Sequence, residues 1–458
     1  MRRILGRRRF LAGVAVAAVG LALAAASAAA DFKVGVGRTL ITPQGPIWMS
    51  GYASRTHPSE GVLHDLWAKA MVLEDSGGGR VVLVTTDLIG LPHEVAKEVA
   101  ARLKAKHGLE RSQIVLNSAH THSGPVVWPN LKSMYFLGQE DRDRLIQYGK
   151  KLTDDLVRTV DAAMADRAPA QVSVGHGSVD FGVNRREPTA GGVRLGVHPT
   201  GPVDHDVPVL QIAAPDGKLR AVLFAYACHN TTLGGDMYEI NGDYAGFAEI
   251  EVEKALPGTT AMFAILCGAD QNPEPRGTVE LAQQHGKTLA DEVRRVLGAE
   301  LRPVRGPVRT AYEVTQLRFA PHERAAFEKE ATSPDKYRQA RAKLMLAAYD
   351  AGQPVRSMPY PVQAVRLGDD LTLVTLAGEV TVEYALRLKR EFPKENLIVM
   401  GYTNEVPCYI PSLAVLKGGG YEPVDSMIYY GQPGPFAEDV EETVIAACRK
   451  VLEETGAK

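Results

Sequence analysis

The sequence predicts an α/β fold in which layered mixed β-sheets are flanked by helices, and three observations predict it. A unit of hairpin, second strand ending in a polar residue, amphipathic helix and further strand recurs three times in the 458 residues. Its strands are short apolar runs bounded by Gly, Asp and Ser, and their alternation with helical segments places parallel neighbours beside the hairpins. Imidazole, carboxylate and phenol groups fall just beyond these runs in unit after unit, so a mixed sheet would gather them along one edge and let the three units converge on one metal site.

Residues 1–30 read as an export signal and not as part of the fold. Arg7, Arg8 and Arg9 before Phe10 and Leu11 form a twin-arginine-type start, an apolar run covers residues 11–26, and Ala28, Ala29 and Ala30 fit a cleavage site. The mature protein is expected to begin near Asp31 and to be periplasmic or secreted. A membrane anchor would need a longer apolar run and a stop-transfer flank. No Pro/Gly/Ser linker divides residues 31–458, which read as a single catalytic domain. A net charge of -2 with both signs interspersed gives nothing that favours nucleic acid or an anionic membrane surface as a partner, and no nucleic acid is expected. The four cysteines, Cys228, Cys267, Cys408 and Cys448, are too few for a disulfide framework, although one bridge suits an exported protein.

The first unit runs from a strand at 70–73 through the Ser76–Gly79 turn into 81–87, a helix at 92–106 and a strand at 113–116. The second runs from 209–212 through Asp216 and Gly217 into 221–229, a helix after Asp243, and a strand at 261–266. The third runs from 363–367 through Gly368 and Asp369 into 371–379, a helix at 380–392 and a strand at 397–402. Asp87, His120, His122, His229, Asp270, Glu379 and Tyr409 all follow strand ends. Such groups beside buried strands are costly unless paired or bound to metal, which favours a site over solvated ends. Between units one and two, residues 182–186 read as a polar loop in which Arg185 either holds a carboxylate or oxyanion or is a solvated charge. Residues 321–351 read as a helical insertion with Ala325, Ala326, Phe327, Leu344 and Leu346 on its apolar face, and residues 436–454 as a last helix. The aromatics at 128–136 fit a substrate channel or the core.

The most informative string is Asn117-Ser118-Ala119-His120-Thr121-His122-Ser123-Gly124-Pro125. Two imidazoles two residues apart at the end of an apolar strand can face one cavity, as at a transition-metal site, or can simply decorate an exposed strand end.

These residues resemble the neutral/alkaline, non-lysosomal ceramidase family over nearly all of the mature chain. The likeness is carried by the His120-to-Pro125 string, by His229 with Asn230, Thr231 and Thr232, by Gly242-Asp243-Tyr244-Ala245-Gly246, by the Gly378–Glu379 step and by the Tyr409 and Tyr421 pair. The resemblance implies a zinc amidase releasing a fatty acid from the sphingoid base of ceramide, an N-acyl lipid, with peripheral membrane contact for substrate access and no protein partner. Carried position by position, it implies zinc held by His120, His229, Glu379 and Tyr409, with His122, Arg185 and Tyr421 around the scissile amide.

The chain departs from the family pattern in two places. Where the family has Gly-Asp-Val-Ser-Pro-Asn with its serine, this chain reads Gly268-Ala269-Asp270-Gln271-Asn272-Pro273, which puts Asn272 at the serine's place. An amide is no nucleophile but can donate to an oxyanion. The expectation is therefore attack by water activated at zinc, with Asn272 joining His122, Arg185 and Tyr421 in catalysis. The second departure is the expected absence of the family's C-terminal β-sandwich. Asn272 also leaves room for a zinc hydrolase of a non-ceramide ester, lactone or amide, or for a catalytically silent lipid-binding module.

Overall fold

The computed structural model describes residues 31–457, so the segment read as an export signal lies outside the described residues. The three repeated units are all present. In the first, strands Trp67–Asp75 and Arg80–Thr86 pair antiparallel, helix His93–His107 crosses over, and strand Ile114–Ser118 returns parallel to Arg80–Thr86. The second repeats this with Asp206–Ala213, Leu219–Tyr226, helix Asp243–Ala255 and the parallel strand Thr260–Ile265. The third uses Ser357–Leu367, Leu371–Leu376, helix Glu383–Glu391 and the parallel strand Leu397–Met400. The first hairpin closes because Asp75 Oδ1 accepts the N–H groups of Gly77 and Gly79, while Gly78 takes the left-handed backbone that a side chain would oppose.

Units one and two occupy opposite ends of a nine-stranded sheet. Its order runs Thr260–Ile265, Leu219–Tyr226, Asp206–Ala213, Ala168–Ser178, Phe32–Leu40, Trp67–Asp75, Arg80–Thr86 and Ile114–Ser118, with Arg302–Val304 added beside Ala168–Ser178. Unit three and strand Val308–Arg318 form a separate four-stranded sheet. The strands' two-residue period sorts their side chains into layers. Val34, Leu73, Leu83 and Leu223 pack with Val365, Leu373 and Ile398 in one buried cluster, so the two sheets lie face to face. The alternate residues Val72, Val82, Val222 and Phe224 join helix side chains such as Val99, Leu156 and Val252 in another, as do Val362 and Val374 with Ile445 and Val451. Helices therefore cover both outer faces. Each fully buried Leu, Val or Ile contributes about 1.5–3 kcal/mol, which makes this layering the main stabilising term.

Several sequence expectations are corrected. Residues 182–186 are not a loop: Gly182–Thr189 is a strand pairing with Gly192–His198 on one side and Gln271–Pro273 on the other. Its polar side chains are satisfied inside the protein, which removes the alternation by which a strand is recognised. The insertion is two helices, Arg324–Glu330 and Lys336–Asp350, whose buried apolar side chains are Phe327, Ala342 and Met345, while Leu344 and Leu346 are half-buried and Ala325 and Ala326 are exposed. The last helix is Val440–Thr455, because Phe436 is held in a bridge to Phe319 and stacks on its ring. All four cysteines are free and buried. Among the described residues no helix is long and apolar enough to cross a membrane.

Candidate metal centre and its cavity

Three strand ends deliver the central side chains. His120 follows Ile114–Ser118 with a left-handed backbone, φ 65°, unusual for a residue with a Cβ and typical of functional strain. Its N–H donates to Leu88 O at 2.8 Å and its Nδ1 donates to Ile89 O at 2.6 Å. His229 follows Leu219–Tyr226; its N–H donates to Gln271 O at 3.0 Å and its Nδ1 to Gly268 O at 2.9 Å. Glu379 follows Leu371–Leu376 through Gly378, where a Cβ would lie 2.6 Å from Cys408 O. That close approach lets Glu379–Val380 pair in parallel with Tyr409–Ile410, which sets Tyr409 beside Glu379. The Asp243 string works from behind, its carboxylate accepting the N–H groups of Thr232, Leu233 and Tyr244 while Tyr244 OH donates to Cys228 O.

These groups meet. Glu379 Oε2 lies 3.1 Å from Nε2 of His120 and 3.1 Å from Nε2 of His229. His122 Nε2 lies 3.1 Å from His120 Nε2, and the ring nitrogens of His120, His122 and His229 fall within 4.8 Å of one another. Tyr409 OH is 3.3 Å from His229 Nε2. A carbonyl can only accept, so the bonds to Ile89 O and Gly268 O put the protons of His120 and His229 on Nδ1 and turn both Nε2 lone pairs inward. Two lone pairs and a carboxylate facing one point repel unless a cation or protons lie between them. Carbonyls that orient imidazoles in this way are the usual support of metal-bound histidine, and the donor set fits a divalent cation. Burial, aided by Arg185, holds His229 down at about 4. Burial opposes ionisation of Glu379, but His120 and His229 outweigh it and keep the carboxylate well below its usual range.

A cavity of about 440 Å³ opens in front of this group, lined by His122, Arg185, Asn272, Tyr409 and Tyr421, with Leu195 and Val197 towards its mouth. His122 reaches it because Gly51 yields space: a Cβ there would lie 2.4 Å from His122 Cγ. His122 Nδ1 is buried with no hydrogen-bond partner, and burial first, then its two neighbouring imidazoles, hold the ring neutral. Arg185 donates to Tyr409 OH at 3.0 Å and to Asn272 Oδ1 at 3.3 Å, and its guanidinium lies 5.7 Å from the Tyr421 ring centre. Thr231 Oγ1 also donates to Asn272 Oδ1. With its oxygen engaged twice, Asn272 has its amino group to offer the cavity.

The profile described as "Neutral/alkaline non-lysosomal ceramidase, N-terminal" matches residues 32–266. The chain belongs to this ceramidase family. It is similar to the neutral ceramidase of Pseudomonas aeruginosa, 27% identical over 249 residues, covering 51% of this chain and 36% of that protein. The neutral ceramidase of Mycobacterium tuberculosis is 26% identical over 227 residues, covering 46% and 34%. The matched segments thus span about a third of these relatives. The crystal structure of the Pseudomonas aeruginosa neutral ceramidase superposes with a TM-score of 0.71 at 21% identity, covering 92% of this chain and 75% of that one. At that identity the likeness speaks for the fold.

Within this ceramidase fold, the eight residues to which the resemblance and the sequence assigned catalytic or metal roles, His120, His122, His229, Glu379, Tyr409, Arg185, Asn272 and Tyr421, gather at the centre or on its cavity. Asp87 and Asp270 do not join them. Asp87 accepts the Trp67 N–H at 2.7 Å near Lys69, and Asp270 accepts from Val382 N and Asn184 Nδ2, so each ties backbone segments together. Tyr430 and Glu422 were not anticipated. Tyr430 OH donates to Glu379 Oε1, and Glu422 binds Arg185. Tyr402 also escaped notice: its ring lies 4.4 Å from that of His120 and its buried hydroxyl has no partner. Adjacency to Tyr421 is the one local hint for Glu422, and nothing local marks the others.

Proposed function

We propose that this chain is an exported, zinc-dependent amidohydrolase whose catalytic domain spans residues 31–458 and which cleaves the amide of an N-acyl lipid. The observation that carries the reading is the convergence of His120 Nε2 and His229 Nε2 on Glu379 Oε2, with Nδ1 of each ring committed to a carbonyl. Two imidazoles, a carboxylate and the phenol of Tyr409 would hold the ion, a set suited to zinc's N/O preferences. A bound zinc supplies Lewis-acid chemistry, polarising a carbonyl and lowering the pKa of water from about 15.7 towards 7.

The protein's own groups account for the rest. Neutral His122, whose Nε2 faces the centre 3.1 Å from His120 Nε2, takes the proton from the attacking water and returns it to the departing amine nitrogen. Arg185, the Tyr421 hydroxyl and the Asn272 amino group donate to the oxyanion that develops on the carbonyl oxygen. Asn272 supports direct attack by water because it offers no nucleophile. The apolar side chains of Leu195 and Val197 suit an acyl chain, and relatives named neutral ceramidase make an N-acyl lipid the leading substrate class. Asn272 equally suits a second reading, a zinc hydrolase of a non-ceramide ester, lactone or amide; a turnover panel of N-acyl amides and esters of increasing acyl length separates the two, since only the first requires a gain with length. In the deciding test, His120→Ala is expected to lose bound zinc, measured by mass spectrometry, and more than about 100-fold of kcat on an N-acyl amide while keeping its fold. Unchanged activity in that variant overturns the proposal.

A further inference from the structure

The geometry points to Glu422 as the residue that positions Arg185 for the reaction. The inference rests on the amidohydrolase reading. Glu422 is completely buried and does not line the cavity, so it meets no substrate. Its Oε1 accepts from Arg185 Nε at 2.9 Å, and its Oε2 pairs with Arg186 Nη1. The guanidinium so held is the one whose remaining nitrogens reach Tyr409 OH and Asn272 Oδ1.

Two irregularities of backbone build this pair. Consecutive residues of a strand point to opposite faces, yet Arg185 and Arg186 both reach one carboxylate. The pairing of Gly182–Thr189 with Gly192–His198 shifts register between Asn184 and Arg186, and such a bulge re-aims a side chain. On the other side, Tyr421–Asp425 forms a single π-helical turn after Gly419 and Gly420, both with positive φ. π turns recur at functional sites because the extra residue shifts side chains off the α-helical face. Here the turn sends Tyr421 to the cavity and Glu422 away from it, into the arginine pair. Arg186 Nη2 also donates to Gly419 O at 2.9 Å, which fastens the turn to the same strand. Both arginines hold the Glu422 carboxyl below its usual range against the opposing effect of burial. Arg185 without Glu422 would keep its charge but lose the contact that fixes the plane of its fork.

The test compares the full chain with E422Q, R185Q and the double variant on a fluorogenic N-acyl amide, with thermal melting alongside. E422Q is expected to lower kcat about 10–100-fold with little change in KM, as misplacement of a transition-state donor does. In the R185Q background the same change should leave kcat within about twofold, because the two act through one group. A lowered Tm with unchanged kcat in E422Q makes Glu422 a structural residue only and overturns the inference, as do losses that multiply in the double variant. Should E422Q not accumulate folded, E422D, which keeps the charge and retracts it by one carbon, must still lower kcat; full activity there overturns the inference. Absence of turnover by the unsubstituted protein defeats the hydrolase reading and this inference together, whereas turnover unaffected by E422Q defeats this inference alone.

Discussion

Asn272 stands where the sequence resemblance would put the family's serine, and its surroundings define what it can do. Its oxygen accepts from Arg185 and Thr231, which orients the amino group towards the cavity as a donor. Removing one such donor costs about 10²-fold or more in kcat at other oxyanion sites. Asn272→Ala should therefore lower kcat on an N-acyl amide by about that factor with bound metal unaltered, and an unchanged kcat would show that the amide group makes no contact with the transition state. Gly51 offers a second residue-scale test. A methyl there meets His122 Cγ at 2.4 Å. If His122 moves protons without holding the ion, Gly51→Ala loses roughly tenfold or more of kcat yet retains the metal content of the unsubstituted protein. Loss of metal in step with activity would make His122 a ligand instead.

At the scale of elements, the site depends on where each strand stops. Gly378 has φ 77° and lies so close to Cys408 that an added Cβ would sit 2.6 Å from its carbonyl oxygen. Gly378→Ala must push apart the pairing of Glu379–Val380 with Tyr409–Ile410, and backbone strain of this kind costs about 1–3 kcal/mol. The expected outcome is a lower Tm together with lost metal, read by calorimetry and mass spectrometry; a stable, metal-loaded variant would contradict the role given to this pairing. The elements were readable unequally from the sequence. The three hairpins and crossover strands announced themselves because runs such as Val81–Val84 and Ala221–Phe224 are continuous and apolar and follow glycine or aspartate turns. Strand Gly182–Thr189 did not, because Arg185 and Arg186 are charged and their partner Glu422 lies 237 positions from Arg185. A buried ion pair of that span leaves no periodic trace.

At the scale of the whole molecule, two carboxylates and one ammonium are enclosed between the large sheet and helix Asp243–Ala255. Lys69 Nζ lies 2.9 Å from Glu249 Oε2, with both side chains buried, and Asp87 shares the region. Burial pushes Glu249 up to about 8 and Asp87 up to about 6, with Lys69 opposing both. A carboxyl raised on folding binds more protons folded than unfolded, so its contribution is full below the ordinary glutamate value of 4.5 and is lost as pH rises towards about 8. Tm should fall across that interval by on the order of 2–4 °C from this source. Glu249→Gln lowers Tm overall by removing a partner of a buried lysine, but should flatten that slope. An identical slope in the variant would place its origin elsewhere.

Local chemistry alone determined the repeated units and the strand-end placement of His120, His229 and Glu379, because apolar runs, turn residues and motif spacing act over a few positions. Only the tertiary structure decided that Asp87 and Asp270 brace backbone rather than join the centre, that Tyr430 and Glu422 stand behind Glu379 and Arg185, and that two adjacent arginines face one carboxylate. Those outcomes rest on contacts between segments far apart in sequence, and a side chain's partner across such a span is set by register and bulge, which no short window of residues contains.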